Sequence, residues 1–462
     1  MIPPDLPAAL SRIAGADRVR RDEASRLRYG VDALQRGHAP DVVVVPGSAA
    51  EIAAIARLCH DLRVPLVPRG AGTGYTGGAV PIAGGVLLSL ERLDRILAID
   101  EENLRAVVEP AVVTGDLQSA VEARGLFYPP DPQSLKESSI GGNVAECAGG
   151  PRAFKYGVTK RYVLGLEAVL PTGEIVRTGS RAVKNVVGYD LTQLLVGSEG
   201  TLAIITEVVL RLVPKPPAAA TLRACFADVA TAAAAVSALL KRRVVPATLE
   251  LVDADSLDAV AAHLGERLAP VGTGALLIVE VDGFAAAVAE EAGLVADACR
   301  GAGAIEVLRA SGEDERESLW RVRRELSYAL RPIAPMKINN DVVVPRGRVP
   351  QLFALVERLR TDHRLRIPCF GHAGDGNIHV NIMIDPADPG EAARAQTAVG
   401  ELFAGVVALD GSISGEHGIG LSKARYLGLE LSPDVIALMR RVKAAFDPHG
   451  ILNPGKIFPA DG

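Results

Sequence analysis

A glycine loop decides the fold of this chain: Pro68-Arg69-Gly70-Ala71-Gly72-Thr73-Gly74-Tyr75-Thr76-Gly77-Gly78, directly after the apolar run Val64–Val67. The run is typical of a buried strand. The spacing Gly72-x-Gly74-x-x-Gly77 matches the dinucleotide fingerprint, which needs a helix directly after the glycines to hold a pyrophosphate. Here Pro81 and the pair Gly84-Gly85 follow, and they forbid that helix. The sequence therefore predicts a phosphate-binding loop of backbone N–H groups outside the doubly wound dinucleotide fold.

Three further glycine segments follow this loop. Ser138–Glu146 contains a glycine pair, Lys155-Tyr156-Gly157 precedes a hairpin predicted at Pro171–Gly173, and Leu195–Thr206 contains two glycines. Each alone would be ordinary turn chemistry. Four such segments in one block of the chain indicate a large, extended, phosphate-bearing ligand.

Around these segments the first part of the chain alternates short strands and helices. Val42–Val45 is a buried-strand pattern, and Ser48–Glu51 is a capping box that opens a helix. The apolar face predicted for that helix consists of Ile52, Ile55, Cys59 and Leu62.

A proline-rich linker, Val213–Pro217, is predicted to be stiff and unable to continue a sheet. Beyond it, the alanine-rich helical patterns Asp228–Arg243 and Phe284–Gly301 alternate with strands such as Leu276–Val281. No heptad persists, so these helices are predicted to cover an antiparallel sheet in a separate α+β domain. Gly312–Leu330 is a further predicted helix.

A second decisive stretch, Cys369–Met383, contains the histidines His372 and His379 on either side of the turn Ala373–Gly376. The alternation after the turn predicts a half-buried strand with a polar face, so both histidines would stand on neighbouring strands. With Glu416 they would form a metal ligand set with an open position. Taken alone, this stretch suggests a metal-dependent hydrolase.

Composition and charge restrict the function classes. The 462 residues are 48% hydrophobic and 23% charged, as in soluble proteins of two or three domains. A net charge of −5 argues against a nucleic-acid-binding surface. Five cysteines without a C-x-x-C pair encode neither an iron–sulfur cluster nor a disulfide framework. With no signal-peptide pattern and no apolar run of about 18 residues, the sequence predicts a cytoplasmic protein, with docking at the inner membrane face left open.

Together, Arg69–Gly78, Ile140–Glu146, Tyr156-Gly157 and Val196–Thr206 resemble the flavin-binding domain of vanillyl-alcohol-oxidase type flavoproteins. Within that superfamily the chain is most similar to the FAD-dependent D-2-hydroxy-acid dehydrogenases, which include the glycolate oxidase flavoprotein subunit, D-lactate dehydrogenase and D-2-hydroxyglutarate dehydrogenase. The resemblance implies an α+β fold. Residues 1–217 would bind FAD between two α+β subdomains, residues 218–409 would form the substrate domain with the metal-site hairpin, and residues 410–462 would return to the flavin domain.

The resemblance also implies where FAD lies. The first loop would cover the pyrophosphate, Gly141–Asn143 would approach the flavin, and the Ile204-Ile205 backbone would contact the adenine end. Relatives with covalent flavin carry a histidine in the first loop, where this chain has Thr73 and Thr76, so noncovalent FAD is expected. The expected cofactor-binding residues are Pro68, Arg69, Gly70, Ala71, Gly72, Thr73, Gly74, Tyr75, Thr76, Gly77, Gly78, Pro132, Ser139, Gly141, Gly142, Asn143, Ala145, Gly150, Tyr156, Gly157, Gly200, Ile204, Ile205 and Asn453.

The resemblance assigns the substrate contacts. Arg323, three positions after Trp320, is expected to pair with the substrate carboxylate, because a guanidinium matches a carboxylate bidentately. Ser327, Lys337 and Asn381 are the further candidate substrate contacts.

The resemblance also assigns the metal and the base. His372, His379 and Glu416 would hold a divalent metal, with zinc favoured over manganese or iron. His417 would be the general base that accepts the proton of the substrate hydroxyl.

One departure from the family pattern bears on the substrate. D-2-Hydroxyglutarate dehydrogenases carry a lysine two residues before the aspartate, here Asp341, whereas this chain has Asn339 there and Lys337 two residues earlier. This favours a short monoacid, D-lactate or glycolate, and leaves D-2-hydroxyglutarate as the alternative.

The sequence leaves the partners and two other function classes open. A separate redox partner is implied: a quinone, a cytochrome, an electron-transfer flavoprotein or an iron–sulfur subunit. The resemblance leaves room for a homodimer and for oxygen as acceptor. A metal-dependent hydrolase and a non-catalytic flavin-binding subunit stay open as other classes, although the first would leave the glycine segments unexplained.

Overall fold

The computed structural model describes residues 2–33 and 37–459, and contacts divide the chain into two units. Unit 1 comprises Met1–Gly149, Val158–Lys215 and Glu416–Gly462, and unit 2 comprises Gly150–Gly157 and Pro216–Gly415. The break after Lys215 falls inside the proline-rich linker. Gly150–Gly157, which the sequence placed in the first domain, lies in unit 2 instead, as do residues 410–415.

The first sheet of unit 1 has four strands in the order Val19–Arg20, Val42–Val44, Val86–Ser89 and Leu66–Arg69. The last three run parallel, and the first pairs antiparallel. Helix Ala49–Leu62 packs its apolar side chains on this sheet.

The predicted serine cap is present at this helix, but Glu51 bonds the residue before Ser48 rather than Ser48 itself. Ser48 Oγ accepts a hydrogen bond from the Glu51 backbone N–H at 3.2 Å, and Glu51 Oε2 accepts one from Gly47 N at 2.8 Å. Such a cap is worth about 1 kcal/mol. Ile52, Ile55 and Cys59 are buried as predicted, but Leu62 is exposed because it ends the helix.

The second sheet of unit 1 has five antiparallel strands in the order Ile96–Asp100, Arg105–Val108, Ile204–Arg211, Val163–Val169 and Ile175–Gly179. The hairpin predicted at Pro171–Gly173 joins its last two strands. Gly173 has φ +89°, a conformation that favours glycine.

The linker prediction is partly wrong. Val213–Pro214 forms a short antiparallel pair with Leu126–Phe127. Proline is tolerated because this sheet has only two strands, so each strand is an edge.

Unit 2 is built on a seven-stranded antiparallel sheet, which confirms the predicted α+β architecture. Helices Val229–Lys241 and Ala285–Gly301 bury alanine and valine side chains against one face. Helices Ala254–Leu264 and Glu313–Ala329 cover the other face. The strand order is Glu306–Arg309, Ala218–Phe226, Ala275–Gly283, Thr248–Asp253, Cys369–His372, Asn377–Ile384 and Met336–Val343.

The histidine hairpin lies inside this sheet. Strand Cys369–His372 pairs with strand Asn377–Ile384 through the predicted turn. The prediction of a half-buried strand is wrong, since every residue of Asn377–Ile384 is buried. The strand has a paired strand on each side and helices over both faces, so its polar residues are enclosed.

The remaining elements complete both units. No helix in the described part of the chain combines the length and apolar character needed to cross a membrane. The other helices of unit 1 are Leu6–Ala14, Glu23–Tyr29, Thr114–Glu122, Ile140–Glu146, Leu191–Leu195, Leu427–Glu430 and Pro433–Phe446, with 3-10 turns at Ala16–Arg18, Thr159–Arg161 and Ala424–Tyr426. Those of unit 2 are Ala153–Tyr156, Val349–His363 and Pro389–Ala408, with a 3-10 turn at Arg346–Arg348.

Candidate functional site

The glycine loop of unit 1 leaves its strand at Arg69 and runs without a helix to the next strand, as predicted. Gly72 and Gly77 have φ of +75° and +80°, which strongly favours glycine at both positions. Beside Gly74 the space is open, because a Cβ there would meet no atom nearer than 4.0 Å. The Arg69 guanidinium packs beneath Gly72 and donates to Val31 O at 2.7 Å.

The second glycine segment meets the first loop through Ser139. Its Oγ caps helix Ile140–Glu146 by accepting from Gly142 N at 3.3 Å, and it stands 2.6 Å from where a Gly70 Cβ would be. Gly141 allows close packing on Pro110. Asn143 Nδ2 donates to Thr114 Oγ1 at 2.7 Å in the interior. Sequence reasoning did not foresee that this segment forms a short helix.

Asn453 ties the C-terminal segment to the same loop. Its Nδ2 donates to Gly78 O and to Glu199 O, both at 2.8 Å, while Lys456 Nζ donates to Asn453 Oδ1 at 3.1 Å. Ile204 and Ile205 are buried in the five-stranded sheet. The amide of Asn453 therefore holds the loop in shape.

Two loops meeting around glycines, with open space beside Gly74, fit an extended cofactor with a pyrophosphate. Three of the expected cofactor residues, Gly150, Tyr156 and Gly157, belong to unit 2. There the Tyr156 hydroxyl donates to Asp282 Oδ2 at 2.6 Å, so it anchors its own segment within unit 2.

The segment that carries Glu416 and His417 is held on unit 1. Thr76 Oγ1 donates to His417 O at 3.1 Å, and the His417 ring lies 5.2 Å from the Tyr75 ring. Glu416 Oε1 is 3.7 Å from His417 Nε2. The expected base is thus fixed against the glycine loop.

Two glutamates beside this segment, the buried Glu199 and the partly buried Glu146, were missed by sequence reasoning. Glu199 accepts from Ile419 N at 2.7 Å and from Gly420 N at 2.6 Å. Burial raises the pKa of Glu199. Burial and the nearby charge of Glu199 raise the pKa of Glu146.

In unit 2, His372 and His379 stand on adjacent strands with ring centroids 5.4 Å apart. One ring nitrogen of each lies within 4.8 Å of the other. Both side chains are buried. On the neighbouring strand, Asp341 Oδ1 lies 3.7 Å from His379 Nδ1.

Arg323 lies on the same face of that sheet, on helix Glu313–Ala329. It is only 4% exposed, and its Cζ lies 4.9 Å from the Phe370 ring. Its Nε donates to Glu250 Oε2 at 2.5 Å, while His372 Nδ1 lies 2.5 Å from Glu250 Oε1. Burial would raise the pKa of Glu250, but its interactions with His372 and Arg323 outweigh burial and lower that pKa.

Glu250 was missed by sequence reasoning although a signal existed. It is a charged residue in the middle of the apolar strand Thr248–Asp253, and it is 0% exposed. A buried charge on a strand needs partners, and here the partners are Arg323 and His372. The structure thus places Arg323 and His372 on either side of Glu250, with His379 next to His372.

The other candidate substrate contacts are Asn381, Lys337 and Ser327; Asn381 lies inside the sheet, whereas Lys337 and Ser327 lie next to each other. Asn381 is fully buried, its Oδ1 accepts from Asn339 Nδ2 at 2.9 Å, and its Nδ2 donates to His379 O at 3.1 Å. Lys337 Nζ lies 3.4 Å from Ser327 Oγ. Burial, together with the charge of Arg331, lowers the pKa of Lys337 to about 8.

Family models match most of the chain. One described as "FAD linked oxidases, C-terminal domain" matches residues 215–457, and one described as "FAD binding domain" matches residues 40–179.

Three curated relatives are similar along nearly their full length. The chain is 42% identical to glycolate oxidase subunit GlcD of Bacillus subtilis (strain 168), covering 100% of this chain and 98% of that protein. It is 40% identical to GlcD of Escherichia coli (strain K12), covering 98% of this chain and 91% of that protein. It is 38% identical to D-lactate dehydrogenase of Anaerostipes hadrus, covering 90% and 89%.

Solved structures share the fold. 4-Ethylphenol oxidase from Gulosibacter chungangensis superposes with a TM-score of 0.80 at 22% identity, covering 99% of this chain and 97% of that one. p-Cresol methylhydroxylase gives the same score and coverage at 18% identity. The architecture is therefore the vanillyl-alcohol-oxidase type.

Proposed function

Because this chain belongs to the family of FAD-linked oxidases, we propose that it oxidises a D-2-hydroxy acid to the 2-oxo acid. D-Lactate and glycolate are the favoured substrates, in keeping with relatives named as glycolate oxidase subunits and a D-lactate dehydrogenase. The observation that carries the proposal is the buried array of Arg323, Glu250 and His372 in unit 2.

Arg323 is the proposed binder of the substrate carboxylate. Glu250 accepts a hydrogen bond from its Nε, and a guanidinium binds a carboxylate bidentately through two of its N–H groups. Phe370 stacks on the guanidinium and limits its rotation. A buried, oriented guanidinium suits a small 2-hydroxy acid, whose carboxylate lies next to the reacting carbon.

His372 and His379 suit a divalent metal. A metal-binding histidine characteristically has its second ring nitrogen against a carboxylate, and His372 Nδ1 lies 2.5 Å from Glu250 Oε1. Such a metal would polarise the substrate hydroxyl. Glu416, which belongs to unit 1, is proposed as the third ligand. Zinc is favoured, with manganese and iron as alternatives.

The glycine loops of unit 1 are proposed to hold FAD noncovalently. Bound FAD supplies a two-electron acceptor for the hydrogen on C2. His417 is proposed to take the hydroxyl proton, because an imidazole nitrogen can accept a proton as a general base. The bonds of Thr76 with the His417 backbone and of Glu199 with the following residues keep that imidazole in place.

D-2-Hydroxyglutarate is the second candidate substrate, favoured by one observation. Lys337 is a partly buried amine beside Ser327, where it could take a second carboxylate. Against it, Asn339 occupies the position of the family's lysine and hydrogen-bonds Asn381 instead. A short monoacid therefore stays the favoured substrate.

The test is an anaerobic titration of purified protein with pairs of D- and L-2-hydroxy acids. We expect a flavin absorption band that bleaches with D-lactate or glycolate but not with L-lactate. Removing metal with a chelator should slow bleaching, and restoring zinc, manganese or iron one at a time identifies the metal. A flavin band that no 2-hydroxy acid bleaches would refute the proposal.

Electrons are proposed to leave to a separate acceptor in the cytoplasm or at the membrane face. Candidates are a quinone, a cytochrome, an electron-transfer flavoprotein or an iron–sulfur subunit. Turnover with a dye acceptor that greatly exceeds oxygen consumption would support this. A rate of substrate oxidation with oxygen as the sole acceptor that equals the rate with the dye would contradict the proposal of a separate acceptor.

A further inference from the structure

Glu250 joins the two halves of the substrate site in unit 2. Its strand, Thr248–Asp253, lies directly beside strand Cys369–His372, and Glu250 is the register partner of His372. The side chain faces helix Glu313–Ala329, from which Arg323 reaches it. One carboxylate oxygen meets His372 Nδ1 and the other meets Arg323 Nε, each at 2.5 Å.

We propose that Glu250 is the positioning residue that sets both the ring tautomer of His372 and the orientation of Arg323. This inference rests on the proposed function for the roles of those two residues. An ionised carboxylate only accepts hydrogen bonds, so His372 must carry its proton on Nδ1. The opposite nitrogen, Nε2, then presents a lone pair of the kind that a metal binds.

The charge of Glu250 matters as much as its geometry. A guanidinium and a divalent metal held by neighbouring groups repel each other, and burial strengthens that repulsion. Glu250 carries a negative charge in contact with both partners and is itself 0% exposed. It therefore allows a cationic carboxylate binder and a metal ligand to occupy one buried face.

The variant Glu250→Gln separates these effects because it keeps the size of the side chain. Arg323 can only donate, so the glutamine oxygen turns to Arg323 and the glutamine NH₂ turns to His372. His372 must then accept at Nδ1 and carry its proton on Nε2, which blocks metal binding there. We expect zinc affinity, measured by chelator competition on FAD-loaded protein, to fall about 10–100-fold.

Glu280→Gln is the matched control. Glu280 is also a buried glutamate of this sheet, and it accepts from Thr221 Oγ1 at 2.7 Å, from Arg316 Nε at 3.0 Å and from Trp320 Nε1 at 3.3 Å. The same substitution there removes a buried charge without touching His372. We expect zinc affinity within about threefold of wild type, well below the change that a displaced metal-ligand partner causes. Equal zinc affinity in Glu250→Gln and wild type would overturn the proposal.

A second measurement needs no variant at Glu250. Nitrogen-15 histidine spectra of FAD-loaded, metal-free wild type, with His372→Gln to assign the signal, report which ring nitrogen carries the proton. We expect the proton on Nδ1, and a proton on Nε2 would overturn the proposal even if Glu250→Gln does not fold. Wild type with Nδ1–H that neither binds zinc nor is bleached by D-acids would instead refute the proposed function.

Discussion

Replacing Arg323 by methionine removes the guanidinium and keeps an unbranched side chain against Phe370, 4.9 Å away in the native protein. The change removes the cationic one of the two hydrogen-bond partners of Glu250 inside a sheet. Two separate losses are expected, one of stability and one of substrate capture.

The burial of Arg323 sets the size of both the stability loss and the loss of substrate capture. Removing one partner of a buried ion pair costs about 3–5 kcal/mol. His372 still holds the other oxygen of Glu250, so we expect the lower end, about 3 kcal/mol. Loss of a bidentate carboxylate contact of about 2–4 kcal/mol corresponds to a drop in kcat/KM of about 30- to 1,000-fold, carried mainly by KM.

The assays are urea unfolding of FAD-loaded protein and steady-state oxidation of D-lactate with a dye acceptor. Arg324→Met on the same helix is the control, because its side chain is 48% exposed and its partner Glu317 is exposed too. Such a surface pair is worth about 0–1 kcal/mol. If Arg323→Met and Arg324→Met had the same free energy of unfolding and the same KM, the role of the buried Arg323 in binding the substrate carboxylate would be refuted.

Three further predictions address other residues. Lys337→Met should raise the free energy of unfolding up to about pH 8, and this gain should vanish toward pH 10.5, because folding lowers the pKa of Lys337 from 10.5 to about 8. The free energy of unfolding is measured with urea at pH 7 and pH 10, and a difference between variant and wild type that is the same at both pH values would contradict this. Asn453→Ala should release FAD, since it removes the bonds to Gly78 O and Glu199 O; flavin fluorescence should show weaker binding than in Asn103→Ala, where the lost bonds are exposed. His417→Ala should keep FAD and zinc but lose about 10²–10⁴-fold in kcat, and stopped-flow flavin reduction as fast as in His449→Ala would remove it from the base role.

Much of the local structure could be read from short patterns. Two predicted features are present: the helix cap at Ser48 and the hairpin at Pro171–Gly173. The glycine loop is also followed by a strand rather than a helix, as predicted. Each depends on residues a few positions apart, so the information lies within one stretch. The exceptions were burial statements: Leu62 is exposed, and strand Asn377–Ile384 is enclosed on both faces.

The candidate site was predictable only where its residues are neighbours in sequence. His372 and His379 flank one turn, and their closeness followed from the hairpin. Glu250 lies 122 residues from His372, and no spacing links them. Their contact depends on the strand order of the sheet, which sets strand Thr248–Asp253 beside strand Cys369–His372.

The sequence by itself determined the glycine loops, the two histidines and the family to which they belong, because turns, caps and hairpins are made by residues close along the chain. Only the tertiary structure decided that Arg323 is buried rather than on a solvated helix flank, and that Glu250 is its partner. The reason is physical: a buried charge is tolerable only where an opposite charge from a distant strand or helix meets it. That meeting is set by the packing of helix Glu313–Ala329 on the sheet.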